Sequence, residues 1–270
     1  MHAGATEDAA SGVAVCVLGT RFMVPRALTP VGVALVDKPA GPSSFAIVAA
    51  LRRRTGARTG HTGTLDPFAT GLLVLLSGAA TRLAPCFVGL DKRYVTDVDL
   101  TATTSTGDPE GDVTGRHAAP PRSTVDSALG RLRGEVELPI PAASAVKVGG
   151  ERAYKLARRG VDVEMPLRRS QVLALDVISY SGDASATSAV QLSLHVSSGT
   201  YVRSIAHALG GHCTTLRRTA VGPFDVSEAV PVDDVRLTSA AAALRRLPES
   251  VLGRVEAGIR AGVLAVEAEA

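Results

Sequence analysis

The order of the predicted strands and helices indicates an α+β protein with a mixed, mainly antiparallel sheet and helices packed against it. Residues 94–100 and 190–197 alternate apolar and polar side chains with the period of a half-buried strand. Residues 45–51 instead carry apolar side chains at helical spacing. Strands and helices do not alternate regularly along the chain, and this argues against a parallel β-α repeat.

The composition suits one large domain, or one domain with a small companion, built on an aliphatic core. The chain has 270 residues, of which 46% are hydrophobic and 3% aromatic. A net charge of +3 does not by itself indicate nucleic acid. The segment from Lys38 to Thr64, however, holds five basic residues and no acid. Arginine pairs follow at 158–159, 168–169 and 217–218. Such patches can hold phosphates, and they are equally typical of solvated helix ends.

The cysteines indicate a reducing compartment, and we expect a cytoplasmic protein without a metal. They lie far apart, at Cys16, Cys86 and Cys213. Without a C-x-x-C pair they form neither a disulfide framework nor a zinc ligand set. His207 and His212 lie near Cys213, but no further ligand accompanies them at metal spacing. The apolar residues 13–18 are too short to span a bilayer and lack a basic flank, so no membrane segment is predicted.

The first elements of the chain are predicted from local signals. Residues 31–36 form a short apolar run that predicts a strand. Ser43 or Ser44 is a suitable N-cap for the helix that follows, and Phe45 is expected on the apolar face of that helix. Further along, residues 123–126 resemble a capping box before a second helix. Residues 172–178 predict another strand.

The stretch on which the functional interpretation depends covers residues 60–73. Its sequence is G-H-T-G-T-L-D-P-F-A-T-G-L-L, followed by an apolar run to Leu76. Glycine and threonine suit a loop, and Pro67 biases Asp66 towards an extended backbone. Asp66 is therefore presented on a tight turn before a buried segment. A carboxylate in this position can be a nucleophile, a general base or a metal ligand, or a turn residue that bonds its own backbone.

This stretch closely resembles the catalytic-aspartate motif of the TruB-type tRNA pseudouridine synthases. Those enzymes isomerise the uridine at position 55 in the T loop of tRNA. Other segments resemble further motifs of the family, namely residues 37–44 (D-K-P-x-G-x-S-S), 91–94 (D-K-R-Y), 144–160 (S-A-x-K to A-R-x-G), 198–205 (G-T-Y-I-R-x-L) and 216–219 (L-R-R-T). The resemblance covers residues 31–232.

The resemblance implies a set of catalytic and pocket residues. Asp66 is expected to be the catalytic carboxylate, and Arg203 is expected to pair with it. Tyr94 is expected to lie on the target base. Tyr201 and Leu216 are expected to line the uracil pocket. A shortened loop before Leu216, compared with longer family members, makes its position in the pocket a prediction for the structure to test.

Two further residues are candidates for contacts with the substrate. A flipped base needs an aromatic platform and a group that occupies the vacated stack. His61 lies five residues before Asp66, and its flat ring is the candidate for that wedge. Lys38, in the first motif, is the candidate for a phosphate or active-site contact.

The implied chemistry needs no cofactor. Isomerisation of uridine to pseudouridine loses no electrons and gains no atoms, and the chain has neither G-x-G-x-x-G after a strand nor G-x-x-x-x-G-K. Ionised Asp66 either attacks the ribose or helps to remove a ribose proton, and the sequence leaves both routes open. A guanidinium such as that of Arg203 would favour the ionised form and fix its direction.

The resemblance also implies a pseudouridine-synthase fold with an RNA-binding cleft across the sheet. We expect residues 1–29 to be a flexible extension, with Met23 as an alternative start, and residues 30–232 to be the catalytic domain. Residues 233–270 are expected to be a short tail with helices around 235–247 and 250–263, too short for a full RNA-binding module of the PUA type. We expect a monomer.

Two other functional classes fit parts of the sequence. A tRNA-binding or tRNA-folding module without catalytic activity would use the same RNA contacts, but pure binding would not require a buried carboxylate. A carboxylate-dependent hydrolase of small substrates would need a second acid for general acid/base catalysis, and none lies near Asp66 in the sequence. The predicted function is therefore pseudouridine formation on tRNA.

Overall fold

The computed structural model describes residues 30–153, 156, 159 and 164–253. The predicted extension 1–29, with Cys16 and Met23, lies outside these residues. So do parts of the 144–160 motif, including Arg158, and the second tail helix beyond residue 253. In the described part of the chain, no helix is long and apolar enough to cross a bilayer.

The predicted mixture of strands and helices is confirmed. In chain order the elements are β1 (Gly32–Lys38), α1 (Ser44–Thr55), β2 (Thr59–His61), β3 (Thr70–Ser77), α2 (Ala84–Val88), β4 (Lys92–Asp99), β5 (Ala102–Thr104), β6 (Val113–Arg116), α3 (Arg122–Arg131), β7 (Gly134–Pro139), β8 (Lys147–Val148), β9 (Glu151–Arg152), β10 (Leu167–Gly182), β11 (Thr187–Val196), α4 (Val202–Ala208), β12 (His212–Val221), β13 (Phe224–Asp225) and α5 (Ala240–Leu244). Short 3₁₀ segments occupy Gly78–Leu83 and Val226–Glu228.

One large sheet organises the fold. Its strand order is β1-β3-β12-β4-β11-β10-β7, with β2 paired to β3 and β13 paired to β12. The pairs are antiparallel except for β12 with β3, which run parallel through Arg217–Thr70 and Arg218–Gly71. Strand β12 therefore lies between the strand that follows the Asp66 loop and the strand that carries Tyr94. The mainly antiparallel sheet agrees with the prediction.

Aliphatic side chains fill both faces of the sheet, as the composition predicts. One cluster packs β4, β10, β11 and β12 against α3 and α4, and includes Leu192 and Ile205. A second packs α1 against β1 and β3. A third joins β3, α2 and the C-terminal tail around Phe87 and Phe224, whose ring centroids are 5.8 Å apart. Leu65 and Ala69, which flank Asp66 in the loop, are buried in the first cluster, and this helps to fix the position of the loop.

Helix α1 begins where the sequence predicts but presents one residue differently. Ser43 is the N-cap, and its hydroxyl accepts a hydrogen bond from the amide of Ala46 at 3.2 Å. Ile47 and Leu51 are buried, whereas Phe45 is 75% exposed, so the prediction of Phe45 on the core face is wrong. Successive helical residues are rotated by about 100°, and this puts Phe45 almost opposite Ile47.

The start of α3 also differs from the prediction. The helix begins at Arg122, with Pro121 as N-cap and no side-chain cap. The carbonyl of Pro121 accepts the amides of Thr124 and Val125 at 3.0 and 3.3 Å. Because the helix already begins at Arg122, residues 123–126 lie inside it and not at its start, so the capping box predicted there is not formed.

The tail packs on β1 with less helix than expected. Helix α5 covers only Ala240–Leu244 of the predicted 235–247. Before it, the chain runs beside β1, where Thr238 and Val33 exchange backbone hydrogen bonds of 2.8 Å. Leu247 and Val251 are buried in the cluster around Phe87. Pairing with β1 satisfies the backbone at Thr238, so the residues before Ala240 are extended and the helix is confined to the alanine run and Leu244.

Candidate active site

The loop that carries Asp66 is held by its backbone on both sides of the carboxylate. The hydroxyl of Ser44 accepts from the amide of Leu65 and donates to its carbonyl, both at 2.8 Å. On the other side, the amide of Gly41 donates to the carbonyl of Pro67 at 2.9 Å. The amide of Ala69 donates to the carbonyl of Asp66 at 3.1 Å. The side chain of Asp66 is therefore presented by a fixed turn, as its sequence predicts.

Lys38 supports this loop through its buried side chain. Its ammonium donates to the carbonyls of Pro39, Pro67 and Ala69 at 2.9, 3.0 and 2.6 Å. Of the two predicted roles, a phosphate contact or an active-site contact, the structure shows a contact with the Asp66 loop, and these three bonds leave no donor over for a phosphate. Burial lowers the pKa of Lys38 to about 8, against the opposing effect of the negative charge of Asp66.

Arg218 holds the same loop further along. Its guanidinium is buried and donates to the carbonyls of Leu72, Gly63 and Thr64 at 2.7, 3.0 and 3.4 Å. Its neighbour Arg217 pairs with Asp37 instead, at 2.8 Å. The Arg217–Arg218 pair was a candidate phosphate patch in the sequence, and the structure assigns both side chains to other contacts.

Asp66 and Arg203 form the pair that the resemblance implies. The Nε of Arg203 lies 2.9 Å from Oδ2 of Asp66, and Nη2 lies 3.2 Å from Oδ1, so the contact is bidentate. Arg203 also reaches the buried carboxylate of Asp108, with Nη1 3.2 Å from Oδ2. The guanidinium of Arg203 also donates hydrogen bonds to the carbonyls of Thr106 and Ala143 at 2.7 and 3.0 Å. One buried guanidinium therefore joins two carboxylates and fixes the direction of Asp66.

Opposing effects act on the ionisation of Asp66. Burial raises the pKa of this carboxyl, and the positive charge and hydrogen bond of Arg203 lower it. The negative charge of Asp108 raises the pKa again, and Lys38 lowers it. The Asp66 side chain keeps 29% exposure, against 3% for Arg203. The arrangement gives a desolvated carboxylate that is aimed, paired and open to the cleft on one side.

Asp66 opens into a cleft of about 530 Å³. Its lining includes Tyr94, Tyr201 and Leu216, which the resemblance places around a uracil, and Arg203, which the resemblance pairs with Asp66. Tyr94 is 8% exposed on β4, and Leu216 is 6% exposed on β12. Tyr201 precedes the first turn of α4. Five of the seven predicted site residues thus meet at one cavity.

His61 lies beside this cavity and not in its lining. It ends β2 and pairs with Leu75 of β3. Among the described residues, its buried Nδ1 has no hydrogen-bond partner. Burial, with the positive charge of Arg218, lowers the pKa of His61. The imidazole is therefore neutral at physiological pH, and its role as a wedge stays a prediction.

Two residues of the site were missed from the sequence. Asp108 lies in the run T-G-D-P-E-G, which the sequence marks only as a loop; an acid within glycine and threonine was the available signal. Lys92 is 6% exposed in the cleft wall, and its ammonium donates to Ser198 Oγ at 3.1 Å and to the carbonyl of Val88 at 2.8 Å. Burial lowers the pKa of Lys92 to about 8.

The structure also tests the idea of a metal cluster near His207. Across the described ranges, no three His, Cys, Asp or Glu side chains come together as a metal site. His212 instead bonds through Nδ1 to the carbonyl of Ala102 at 3.0 Å. Burial raises the pKa of Cys213 to about 12, so this thiol stays protonated.

The class of protein follows from a family model and from the fold together. The model described as "TruB family pseudouridylate synthase (N terminal domain)" matches residues 52–202. Among solved structures, the chain is similar to that titled "Crystal Structure of a Cbf5-Nop10-Gar1 Complex", with a TM-score of 0.56 and 29% identity. The match covers 75% of this chain and 54% of that one, so the chain spans about half its length. Fold and family define a pseudouridine synthase, which is an isomerase.

Curated relatives agree with this class. The chain is 44% identical over 212 residues to "tRNA pseudouridine synthase B" of Corynebacterium jeikeium (strain K411), covering 73% of this chain and 68% of the relative. It is 37% identical over 226 residues to the protein of the same name from Azoarcus sp. (strain BH72), covering 81% and 73%. The chain belongs to the TruB family of pseudouridylate synthases.

Proposed function

We propose that this protein converts uridine to pseudouridine at position 55 in the T loop of tRNA. The observation that carries the proposal is the bidentate pairing of Asp66 with buried Arg203 in the lining of the cleft that also holds Tyr94 and Tyr201. The names of the relatives from Corynebacterium and Azoarcus support tRNA as the substrate. The motifs that resemble the family support the T-loop position.

The reaction breaks the bond between C1′ of the ribose and N1 of uracil and forms a bond from C1′ to C5 of the same base. C5 gives up its hydrogen as a proton and N1 takes up a proton, so atoms and electrons balance. The uracil must leave, turn and rejoin within a closed site. Asp66, as a carboxylate, either attacks the ribose or removes a ribose proton, and both routes need the ionised form. Arg203 supports either route, because its positive charge favours that form and its fork holds the direction of attack.

The cleft has the size and lining for one flipped nucleotide. Its volume of about 530 Å³ falls within the range of about 300–1,000 Å³ of ligand pockets. Tyr94 provides the stacking platform for the uracil, and Tyr201 with Leu216 bounds the rest of the pocket. His61 enters the proposal as the group that occupies the vacated position in the base stack, since its ring is neutral and next to the catalytic loop.

The proposal includes no redox cofactor, since the reaction conserves electrons and atoms. It treats residues 30–232 as the catalytic domain, with the tail from 233 packed on β1, and it takes the protein as a cytoplasmic monomer. The two cysteines of the described residues are unpaired, which agrees with a reducing compartment.

The test is pseudouridine mapping on an unmodified tRNA transcript, with no cofactor added, for the wild type and Asp66→Asn. We expect one new pseudouridine in the T loop with the wild type and none with the variant. The variant should still bind tRNA, because the amide keeps the shape of the carboxylate and removes only its charge. Turnover by Asp66→Asn would remove Asp66 from the catalytic role. Binding without product by the wild type would support the alternative of a non-catalytic tRNA-binding module.

A further inference from the structure

Arg168 of β10 is a cation at the cleft that the proposed mechanism does not use. Its guanidinium lies directly over Gly199. A β-carbon built on Gly199 would be 2.3 Å from Nη2 and 2.8 Å from Cζ of Arg168. Gly199 belongs to residues 198–201, which line the cleft together with Asp66. Arg168 is therefore held at the rim of the cleft, over the loop that leads to Tyr201.

The surroundings of Arg168 differ from those of the next residue in the same strand. Arg169 forms an ion pair with Glu135 at 3.1 Å and is in register with Glu137 of β7. Arg168 is in register with Leu138, which brings no charge. No ion pair joins Arg168 to any residue within the described ranges. Its positive charge is thus exposed to solvent and available to an anion.

We propose that Arg168 binds a backbone phosphate of the RNA next to the flipped nucleotide. The inference rests on the proposed function, since it takes RNA as the occupant of the cleft. A guanidinium matches the oxygens of a phosphate with two parallel donors. Arg168 is not part of the lining of the uracil cavity, so it meets the sugar-phosphate backbone and not the base. Gly199, having no side chain, leaves room for the guanidinium of Arg168 to approach the loop this closely.

The test compares Arg168→Gln with the matched control Arg169→Gln. Both variants lose one positive charge from adjacent positions of β10. Dissociation constants for unmodified tRNA are measured over a series of salt concentrations. For one lost phosphate contact we expect Arg168→Gln to bind about 5- to 10-fold more weakly, and the slope of log K against log salt to fall by about 0.7–0.9 in magnitude. Arg169→Gln should match the wild type in both.

Single-turnover rates at saturating tRNA separate binding from positioning. We expect the same rate for Arg168→Gln and the wild type, because the contact acts on the backbone and not on the reacting atoms. A normal salt slope with a reduced saturating rate would show that Arg168 only supports the 198–201 loop, and would overturn the proposal. An equal effect of both variants on the slope would also overturn it.

The same experiment keeps this inference distinct from the proposed function. If the wild type binds tRNA but forms no pseudouridine, the proposed function fails, while the salt slopes still decide whether Arg168 meets a phosphate. If pseudouridine forms and the slopes of wild type and Arg168→Gln coincide, the proposed function stands and the inference about Arg168 fails.

Discussion

Buried cations bind different partners in two groups beside the cleft, which we call the floor (Lys38 and Arg218) and the wall (Arg203). The floor cations donate to backbone carbonyls of the Asp66 loop and its strand. In the wall, Arg203 pairs with the carboxylates of Asp66 and Asp108. Carbonyls are neutral, so the floor cations fix the shape of the loop. Arg203 fixes the direction of Asp66 and also lowers its pKa.

The largest effect is expected from Arg203→Gln, which removes the shared cation of two buried carboxylates. Breaking a buried ion pair in this way costs about 3–5 kcal/mol, so the variant should unfold at lower urea concentration. The pKa of Asp66 should rise, because Arg203 lowers it. The acid limb of the single-turnover pH profile should therefore move to higher pH. Arg203→Lys, which keeps the charge but not the fork, is the matched control.

If the acid limb of the single-turnover pH profile does not move in Arg203→Gln, then Arg203 does not lower the pKa of Asp66 and the role given to it here is contradicted. The lysine variant sharpens the comparison further. If charge alone matters, Arg203→Lys keeps both the pH profile and the rate. If the bidentate direction matters, it keeps the pH profile and loses most of the rate.

A smaller effect is expected in the floor from Arg218→Met. The substitution leaves the carbonyls of Gly63, Thr64 and Leu72 without their donor, and an unsatisfied buried group costs about 1–3 kcal/mol. Its control is Arg217→Met, whose ion pair with Asp37 is partly exposed and should contribute less than about 1 kcal/mol. Urea unfolding measures both. If the two variants lose the same stability, the hydrogen bonds of Arg218 to the backbone carbonyls do not stabilise the fold more than the partly exposed Arg217–Asp37 pair.

An effect confined to alkaline pH is expected from Lys38, whose titration makes stability depend on pH. Burial lowers its pKa in the folded state from 10.5 to about 8. Between these values the unfolded chain binds more protons, so the free energy of unfolding should rise with pH over that window. Lys38→Met should remove this part of the rise, and Arg218→Met should keep it, because arginine does not titrate there. The same slope in wild type and Lys38→Met would refute the assignment.

The difference between floor and wall also explains which parts of the site could be predicted from sequence. The strand alternation, the Ser43 cap and the paired Asp66 and Arg203 were accessible, because short motifs carry them. The contacts of Lys38 and Arg218 were not, since a charged residue type suggests solvent or phosphate. Only the folded chain reveals the carbonyls that surround them.

Two other features could not be predicted from sequence for the same reason, because they depend on long-range packing. Asp108 becomes important because β12 and α4 bring Arg203 to it, and its own neighbours in sequence indicate only a turn. The tail is extended around Thr238 because β1 offers it a backbone partner there, and helix α5 begins only at Ala240. Local propensity predicts neither the contact of Asp108 with Arg203 nor the course of the tail beside β1. Both depend on how the sheet brings distant segments together.

The position of β12 has a consequence for how the enzyme matures on the ribosome. Residues 212–221 are inserted between β3 and β4, which are finished more than a hundred residues earlier. The floor and the tyrosine of the wall are therefore brought to their final spacing only after β12 has been synthesised. Pairing of segments so distant in sequence is slow, so a nascent chain carries Asp66, Tyr94 and Arg203 before it has the cleft that they line.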